Sequence, residues 1–432
     1  MLRDTIFAPA SGSGKSAISI VRISGPKTRF VLETIAGSLP EPRLVALRII
    51  KGPDGPIDRA LIVWFPAPHS FTGEDCAEFH VHGSLAVVRS LLSCLSAFDD
   101  CRLAQPGEFA RRAFELGKMD LSAVEGLADL IDSETERQRK QALRQMEGGL
   151  SLRVSDWRQS LLSAMALVES DIDFSDEGDI EPETALHAQR FIELLIRDIE
   201  LVLATAGQGQ RLREGIVVVV SGPPNAGKST LVNALASKNI AIVSSIAGTT
   251  RDLIETQLDF DGLPVTLIDT AGLREGKDDI EIQGIARARQ RLAQADLGLW
   301  LMPPGFDEEP PSGPDWIRIR TKADLPFVET DILAISVLTG QGMDQLRDVL
   351  KIEIEQRLGS GDALITRERQ KQALTRALLC ISQALDGLKH GRGTELVAED
   401  LRIAARHFGE IIGVVGVESM LDTLFSQFCI GK

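Results

Sequence analysis

The chain has 432 residues, of which 44% are hydrophobic and 25% are charged, so it can form the cores of several ordinary soluble domains. Its 62 acidic and 47 basic residues give a net charge of -15, which excludes attraction of a nucleic-acid backbone by the overall field and leaves that task to a local basic surface or a basic partner. The five cysteines include no CxxC pair, so we exclude a disulfide framework and expect a cytoplasmic protein. No apolar run approaches the roughly 18 residues of a membrane span, so we also exclude a membrane protein.

The N-terminal quarter of the chain is typical of a mixed α and β module. β-Branched runs separated by turns rich in glycine and proline predict strands at 17–23, 61–65 and 77–81. From residue 121 to 205 the apolar residues recur every three or four positions, which predicts helices. We expect one interruption in this helical stretch, at the acidic loop 171–182.

At Gly215 the pattern changes to strands that alternate with helical segments. Continuous apolar runs, expected of strands buried on both faces, occur at 216–220, 265–268, 297–301 and 332–335, with another strand-like run at 316–320. This alternation predicts a doubly wound α/β fold, and helices resume after about residue 342. We therefore predict an α+β module at 1–118, a helical domain made from 119–213 and 345–432, and an α/β domain inserted at 214–344.

Residues 222–229, with the sequence GPPNAGKS, match the phosphate-loop pattern GxxxxGK[ST] in full. A predicted strand precedes the motif and a predicted helix follows it, which is the context that this loop needs. The glycines allow backbone N–H groups to converge on phosphates, and the helix N-terminus adds a positive partial charge. Lys228 is predicted to reach the β- and γ-phosphates, and the Ser229 hydroxyl to ligate Mg²⁺.

A second stretch, SGSGKS at 11–16, imitates this motif. Pro9 stands where the first glycine should be, and proline has no N–H group to offer a phosphate. We interpret the stretch as an ordinary loop.

Two further signals follow in the order that a GTPase requires. Thr249 and Thr250 are candidates for a switch element whose hydroxyl completes the Mg²⁺ shell. Asp269 ends a predicted strand, where its carboxylate can hold Mg²⁺ through water, and the N–H of Gly272 can sense the γ-phosphate.

The TKAD motif at 321–324 selects the base. The carboxylate of Asp324 can accept hydrogen bonds from both N1–H and the exocyclic amine of guanine, whereas adenine presents an acceptor at N1 and leaves the acid unpaired. Ser336, at the end of the next predicted strand, is placed for a backbone contact to guanine O6.

Two positions depart from the usual GTPase pattern. Leu273 occupies the place where Ras-like switches have a water-orienting glutamine, so the group that positions water must come from elsewhere. Thr321 stands where asparagine is usual, and its single hydroxyl cannot supply both an amide donor and an acceptor. We therefore predict weaker nucleotide binding than asparagine would give.

With these motifs in place, the chain resembles a known family over essentially its whole length: the bacterial tRNA modification GTPases called MnmE or TrmE. Besides the GTPase motifs and Glu78, the matching segments are DTIFA at 4–8, VRISGP at 21–26, FTGED at 71–75, QPGEFARRAF at 105–114, GKMDL at 117–121, DIDF at 171–174 and CIGK at 429–432.

The resemblance implies three parts and a set of partners. A Ras-like G domain is inserted into the two-segment helical domain, and the N-terminal module dimerises and binds a tetrahydrofolate derivative, 5-formyl or methylene. The homodimer is expected to work with the FAD-containing protein MnmG, in a heterotetramer or larger complex. Together they would place a carboxymethylaminomethyl-type group on C5 of the wobble uridine of certain tRNAs.

The resemblance also implies the residues of the GTP site. Those expected to bind the nucleotide are Asn225, Ala226, Gly227, Lys228, Ser229, Thr230, Ser244, Ser245, Ile246, Ala247, Gly248, Thr249, Thr250, Asp269, Thr270, Ala271, Gly272, Thr321, Lys322, Ala323, Asp324, Ser336, Val337 and Leu338. Potassium, held by Asn225, Ser244, Ile246 and Thr249, would take the place of an arginine finger. Mg²⁺ would be held by Ser229 and Thr250.

Glu281 resembles the catalytic glutamate that orients the attacking water in this family. It would supply the water-orienting group that Leu273 cannot provide. Because Asp278 and Asp279 are close in sequence, the alternative is that Glu281 is a solvated charge. The implied folate contacts are Arg22, Glu78, Lys118 and Lys432. Cys429 is implied to face the folate and take part in modification; the alternative is a small apolar filler.

The leading hypothesis is therefore a K⁺-dependent GTP hydrolase that acts in tRNA modification. The alternative is a regulatory GTPase switch in ribosome assembly, whose output is the release of a partner. That alternative predicts an RNA-binding appendage or a basic tail, and the sequence contains neither.

Overall fold

A computed structural model describes residues 4–12, 14–173, 182–238, 240–241, 255–269, 295–326, 331–415, 418–426, 428 and 431. The chain divides into two units, one formed by Met1–Ala128 with Gly409–Lys432 and the other by Asp129–Phe408. No helix within the described ranges is both long and apolar enough to traverse a lipid bilayer.

The strands of the described residues form two sheets. In chain order they are β1 (Thr5–Pro9), β2 (Ile18–Ser24), β3 (Ala46–Gly52), β4 (Gly55–Phe65), β5 (Cys76–His82), β6 (Cys101–Leu103), β7 (Ile216–Ser221), β8 (Ile240–Ala241), β9 (Glu255–Phe260), β10 (Leu263–Asp269), β11 (Leu297–Met302), β12 (Asp315–Arg320) and β13 (Leu333–Ala334).

The helices of the described residues occur before, between and after these strands. They are α1 (Thr28–Ala36), α2 (Leu85–Ser96), α3 (Glu108–Glu115), α4 (Leu121–Asp132), α5 (Glu136–Met146), α6 (Gly149–Asp173), α7 (Pro182–Ala204), α8 (Ala206–Glu214), α9 (Lys228–Lys238), α10 (Met343–Leu358), α11 (Glu368–Lys389), α12 (Thr394–Ile412) and α13 (Glu418–Ser426).

The first unit is built on a sheet with the strand order β3-β4-β5-β2-β1-β6, in which only the β1–β6 pair is parallel. Side chains alternate across a strand, so β2 and β5 send Val21, Ile23, Phe79 and Val81 to one face. That face forms a buried core with apolar residues of α1 and α2. The alternate residues of β2 and β5, including Arg22 and Glu78, therefore belong to the opposite, outer face of the sheet.

The sheet of the second unit has the order β13-β12-β11-β7-β10-β9-β8. Neighbouring strands in this sheet are parallel from β13 through β10, and β9 and β8 add an antiparallel edge. After the central strand β7, the chain adds β8, β9 and β10 on one side of β7, and then β11, β12 and β13 on the other side. The order thus reverses beside β7, and such a switch point opens a crevice at the carboxyl ends of the strands.

The predicted fold class is confirmed: an α+β N-terminal part, a doubly wound α/β layer, and helical segments before and after that layer along the chain. The prediction of a single break in the helical stretch was wrong, because α4 ends at Asp132 and α5 at Met146. Thr135 and Gln138 form a capping box that starts α5, and this local polar pairing interrupts an otherwise helical apolar pattern.

Candidate nucleotide site

The phosphate-loop motif joins β7 to α9, at the carboxyl end of the central strand. Gly222 has φ +150°, and a Cβ placed there would lie 2.6 Å from the backbone oxygen of Leu301 in β11. Asn225 and Gly227 also have positive φ, +64° and +93°, as the tight curve of the loop requires. A larger residue at position 222 would therefore collide with β11, so glycine is required at the start of the loop.

Lys228 begins α9 and folds back over this loop. Its Nζ donates to the carbonyl oxygens of Gly222 and Pro223, both at 2.9 Å. The ammonium group is therefore held over the curve of the loop, where the charge of a phosphate would be received. That Lys228 reaches the β- and γ-phosphates stays a prediction.

Ser229 and Asp269 lie 40 positions apart in sequence and meet in the structure. The Ser229 hydroxyl donates to Oδ2 of Asp269 at 2.6 Å, and Asp269 is buried at the end of β10. Hydroxyl and carboxylate oxygens are the ligands that Mg²⁺ prefers, so this donor set fits the metal predicted from the sequence. Thr250, the other predicted Mg²⁺ ligand, lies outside the described residues.

A cavity of about 270 Å³ adjoins the phosphate loop. It is lined by Ala226, Gly227, Thr230, Leu231, Thr321, Lys322, Asp324, Ile335, Ser336, Val337 and Leu338. The lining combines the start of α9 with the loops that follow β12 and β13. Residues predicted from three separate sequence segments to bind a nucleotide thus surround one cavity.

Asp324 is oriented in this cavity by a hydrogen bond that sequence reasoning missed. The hydroxyl of Ser336, which is 1% exposed, donates to Oδ1 of Asp324 at 2.6 Å. The backbone N–H of Ser336, which we expected to face guanine O6, donates instead to the carbonyl of Gln341 at 2.9 Å. In this arrangement the serine contributes through its hydroxyl, and an O6 contact would fall to the backbone of Val337 or Leu338.

Part of the predicted site lies outside the described residues. These positions are Ser244, Ser245, Ile246, Ala247, Gly248, Thr249, Thr250, Thr270, Ala271, Gly272 and Glu281, together with Cys429 and Lys432 near the C-terminus. Of the predicted K⁺ ligands, only Asn225 is described.

The imitation motif at 11–16 connects two antiparallel strands, β1 and β2, which confirms that it is an ordinary loop.

A second group of predicted residues meets on the outer face of the N-terminal sheet. Arg22 and Glu78 are direct partners across β2 and β5, and Arg22 Nη2 lies 2.8 Å from Glu78 Oε1. His80 Nε2 lies 3.2 Å from the other oxygen, and the Arg22 guanidinium stacks over the Phe71 ring at 5.1 Å. Burial raises the pKa of Glu78, but Arg22 and His80 outweigh it and hold that pKa below its usual value.

Lys118 belongs to the same region. A Cβ placed on Gly73 would lie 3.3 Å from Cγ and Cε of Lys118, so the lysine stem runs beside the loop that also carries Phe71. Lys432 lies outside the described residues. Its neighbour Gly431 is buried with φ +101°, and a Cβ there would lie 2.0 Å from the Pro9 oxygen.

Comparison with known proteins finds full-length relatives. The family described as the MnmE helical domain matches residues 121–429, and the GTP-binding protein TrmE N-terminus matches residues 5–118. The chain is 52% identical over 441 residues to the tRNA modification GTPase MnmE of Methylobacterium sp. (strain 4-46), covering 100% of both chains. It is 50% identical over 436 residues to the protein of the same name from Beijerinckia indica, covering 99% of this chain and 96% of that relative.

Among solved structures, the G domain of the T. maritima FeoB iron transporter aligns with 33% of this chain and 99% of its own length, at 21% identity and a TM-score of 0.23.

Proposed function

We infer that this chain, which belongs to the MnmE family of tRNA modification GTPases, hydrolyses GTP and acts in the modification of tRNA. The observation that carries the proposal is the cavity that joins the phosphate loop to Asp324. Backbone N–H groups and Lys228 would hold the phosphates, while the Asp324 carboxylate would accept from the N1–H and the amine of guanine. The cavity extends from Asp324 to Ala226 and Gly227 at the end of the phosphate loop, and this proximity of the two motifs supports the proposal.

Magnesium fits the oxygen pair of Ser229 and Asp269. Ser229 would ligate the ion directly, Thr250 would supply a second hydroxyl, and Asp269 would act through water. The metal would neutralise charge that develops on the phosphates during hydrolysis. The hydrogen bond from Ser229 to Asp269 supports this role, because it brings the two oxygen groups together at the end of β10.

We propose that hydrolysis also depends on K⁺ and on Glu281. Leu273 cannot orient water, so a polar group from another position has to do so, and the family resemblance indicates Glu281. Potassium held by Asn225, Ser244, Ile246 and Thr249 would supply a fixed positive charge near the β- and γ-phosphates. The position of Asn225 supports its part, since its positive φ belongs to the curve of the phosphate loop.

We expect the rate of GTP hydrolysis by the full chain to be at least about tenfold higher in KCl than in NaCl at equal ionic strength, because a fixed cation stabilises the transition state. Glu281→Ala should lower the rate in KCl by at least about tenfold, since water would no longer be oriented. Phosphate release measures both effects, and Asp279→Ala serves as the control for loss of a nearby acid. Equal rates in both salts, with Glu281→Ala unimpaired, would contradict this mechanism.

We propose that the outer face of the N-terminal sheet binds a tetrahydrofolate derivative through Arg22, Glu78, Lys118 and Lys432. The donor edge of a pterin needs an ionised, partly buried carboxylate, and the lowered pKa of Glu78 supports that role. The Phe71 ring lies 5.1 Å from the Arg22 guanidinium and adds a flat apolar wall. Lys118 and Lys432 would attract the acidic tail of the ligand. Cys429, three residues before Lys432, is the proposed participant in modification.

Glu78→Gln is expected to weaken binding of 5-formyltetrahydrofolate by about tenfold or more, because a charged acceptor is lost while the shape is kept. Titration calorimetry of the full chain gives the affinity. Glu33→Gln on α1, which removes an exposed acid paired with Arg29, is the control and should leave binding unchanged. Equal affinities of Glu78→Gln and the parent chain would remove Glu78 from the site.

An exposed apolar strip supports the proposed homodimer. It consists of Leu44, Val45, Leu47, Ile49 and Leu61, each between 40% and 60% exposed, on or next to β3 and β4. Burial of such a strip against a second copy would remove apolar surface from water and cover the sheet at β3 and β4. We further propose that MnmG is the partner and that it supplies part of the basic surface for tRNA, because this chain carries a net charge of -15.

A further inference from the structure

An extended segment, rather than a helix, connects the parallel strands β11 and β12. Residues 303–314 have the sequence PPGFDEEPPSGP and form no helix, although the structure describes all of them. A connection between neighbouring parallel strands is usually helical, but the five prolines of this segment prevent a helix. We call residues 303–314 the strap.

β11 and β12 bury one face and carry two tryptophans and two arginines on the other. Leu299 and Ile319 belong to the buried core of the sheet. Because side chains alternate along a strand, the residues on either side of these two form the opposite face. This tryptophan–arginine face consists of Trp300, Trp316, Arg318 and Arg320.

Gly298 allows the two indoles to meet. It is the direct partner of Trp316 across the two strands, and a Cβ placed on it would lie 2.3 Å from the Trp316 ring. The ring therefore lies over the backbone of β11, with its centroid 5.7 Å from that of Trp300 in an edge-to-face arrangement. Phe306 of the strap adds a third ring, 6.2 Å from Trp300. These contacts fix where the two indole N–H groups point.

The strap runs antiparallel to β12 across this face. Asp307 Oδ1 lies 2.6 Å from Arg320 Nη2, and Glu309 Oε1 lies 2.8 Å from Arg318 Nη1. Two acids at alternate positions of the strap thus meet two arginines at alternate positions of β12, in reverse order.

Both indoles donate to backbone carbonyls of the strap. Trp300 Nε1 donates to the carbonyl of Glu308 and Trp316 Nε1 to that of Pro311, both at 2.9 Å. Pro310 and Pro311 favour a polyproline II conformation, whose three residues per turn make carbonyls three positions apart point the same way. The tryptophan–arginine face offers donors only, and proline needs no acceptor for its backbone nitrogen. The face therefore complements an acidic segment that contains proline.

The acids hold the strap weakly. The side chains of Asp307 and Glu309 are 71% and 77% exposed, and an exposed ion pair shifts an equilibrium by only about fivefold or less. The strap stays in place because both of its ends are covalently tethered, which gives it a high effective concentration at the face. A segment of another chain with the same pattern can make the same contacts.

We propose that the tryptophan–arginine face is a docking site for a partner's extended segment that has two acids at alternate positions followed directly by two prolines. The strap is the intramolecular occupant of this site, and the partner displaces it. The four residues of the face differ from those that line the base cavity, so occupancy can be tested without nucleotide.

A fluorescent peptide with the sequence FDEEPPS, which copies residues 306–312, tests the site in the full-length chain. Asp307→Lys combined with Glu309→Lys should release the strap, because it places like charges against the arginines. We expect this double variant to bind the peptide at least about tenfold more tightly than the parent chain in fluorescence anisotropy, since the tethered competitor is gone. Glu308→Lys is the control, because its carbonyl is the group that contacts Trp300, and it should bind like the parent chain.

Arg318→Glu gives a second opened chain, in which an exposed residue of the face itself is changed. It should reverse the preference and bind the peptide FDEKPPS more tightly than FDEEPPS. Acrylamide quenching of tryptophan fluorescence should rise in both opened chains, since the strap covers Trp300, which is 9% exposed. Peptide binding by the double variant no tighter than by the parent chain, no reversal in Arg318→Glu, or unchanged quenching would each overturn the docking site.

Discussion

Asp324→Asn is expected to weaken the binding of GDP by at least about 100-fold, because it removes the acceptor that pairs with two guanine N–H groups and places an amide donor against them. The effect should be large because Ser336 holds Asp324 Oδ1 at 2.6 Å, so the side chain cannot turn away to avoid the mismatch. Xanthine carries a carbonyl in place of the guanine amine. The variant should therefore gain affinity for xanthosine diphosphate.

Titration calorimetry with both diphosphates checks this reversal. Asp348→Asn, an exposed acid of α10 that does not line the base cavity, serves as the control and should bind GDP normally. In a strain whose only copy is the Asp324→Asn variant, mass analysis of tRNA should find the wobble uridine unmodified. Unchanged GDP affinity of this variant would show that base recognition lies elsewhere.

The second large effect is expected in the N-terminal unit, at a fully buried arginine. The Arg112 side chain is 1% exposed and pairs with three carboxylates, from Asp4, Glu74 and Glu108. Its Nη1 also donates to the Asp4 carbonyl at 2.9 Å. Arg112→Leu would leave these partners without their buried cation. We expect the unit to lose about 3–5 kcal/mol of stability, as is typical when one member of a buried ion pair is removed.

Arg102 provides a matched control, because it pairs with Asp4 and Glu108 but is 43% exposed. Arg102→Leu should cost about 1 kcal/mol or less, since solvent screens an exposed pair. Hydrogen exchange of the amides of β1 and β2, measured by mass spectrometry, separates this unit from the rest of the chain. Similar exchange rates for the two leucine variants would disprove a special role of the buried arginine.

The contrast between the two arginines illustrates what sequence could not show. QPGEFARRAF was recognised as a segment of the family, yet nothing in its spacing distinguishes buried Arg112 from its half-exposed neighbour Arg111. The three acids that surround Arg112 come from segments up to 108 residues away. Burial of a charge depends on those distant segments, so the network appears only when the sheet and α3 are assembled.

In the nucleotide site, more of the arrangement could be predicted from the sequence. The phosphate loop, Asp269 and the TKAD motif each stand at the end of a strand, as predicted, because the apolar run of each strand is visible in sequence. The contact that orients Asp324 was missed. Ser336 was predicted to act through its backbone, while the fold gives its N–H to Gln341 and its hydroxyl to Asp324.

By itself, then, the sequence determined the class of fold, the family and the residues of the phosphate and base motifs, since these depend on periodicity and on neighbouring residues along the chain. Only the tertiary structure decided how distant side chains pair: Ser229 with Asp269, Ser336 with Asp324, and Arg112 with its three acids. It also decided that the Thr321 hydroxyl is buried without a partner among the described residues. Hydrogen bonds and burial are set by distances in space, and chain order does not encode those distances directly.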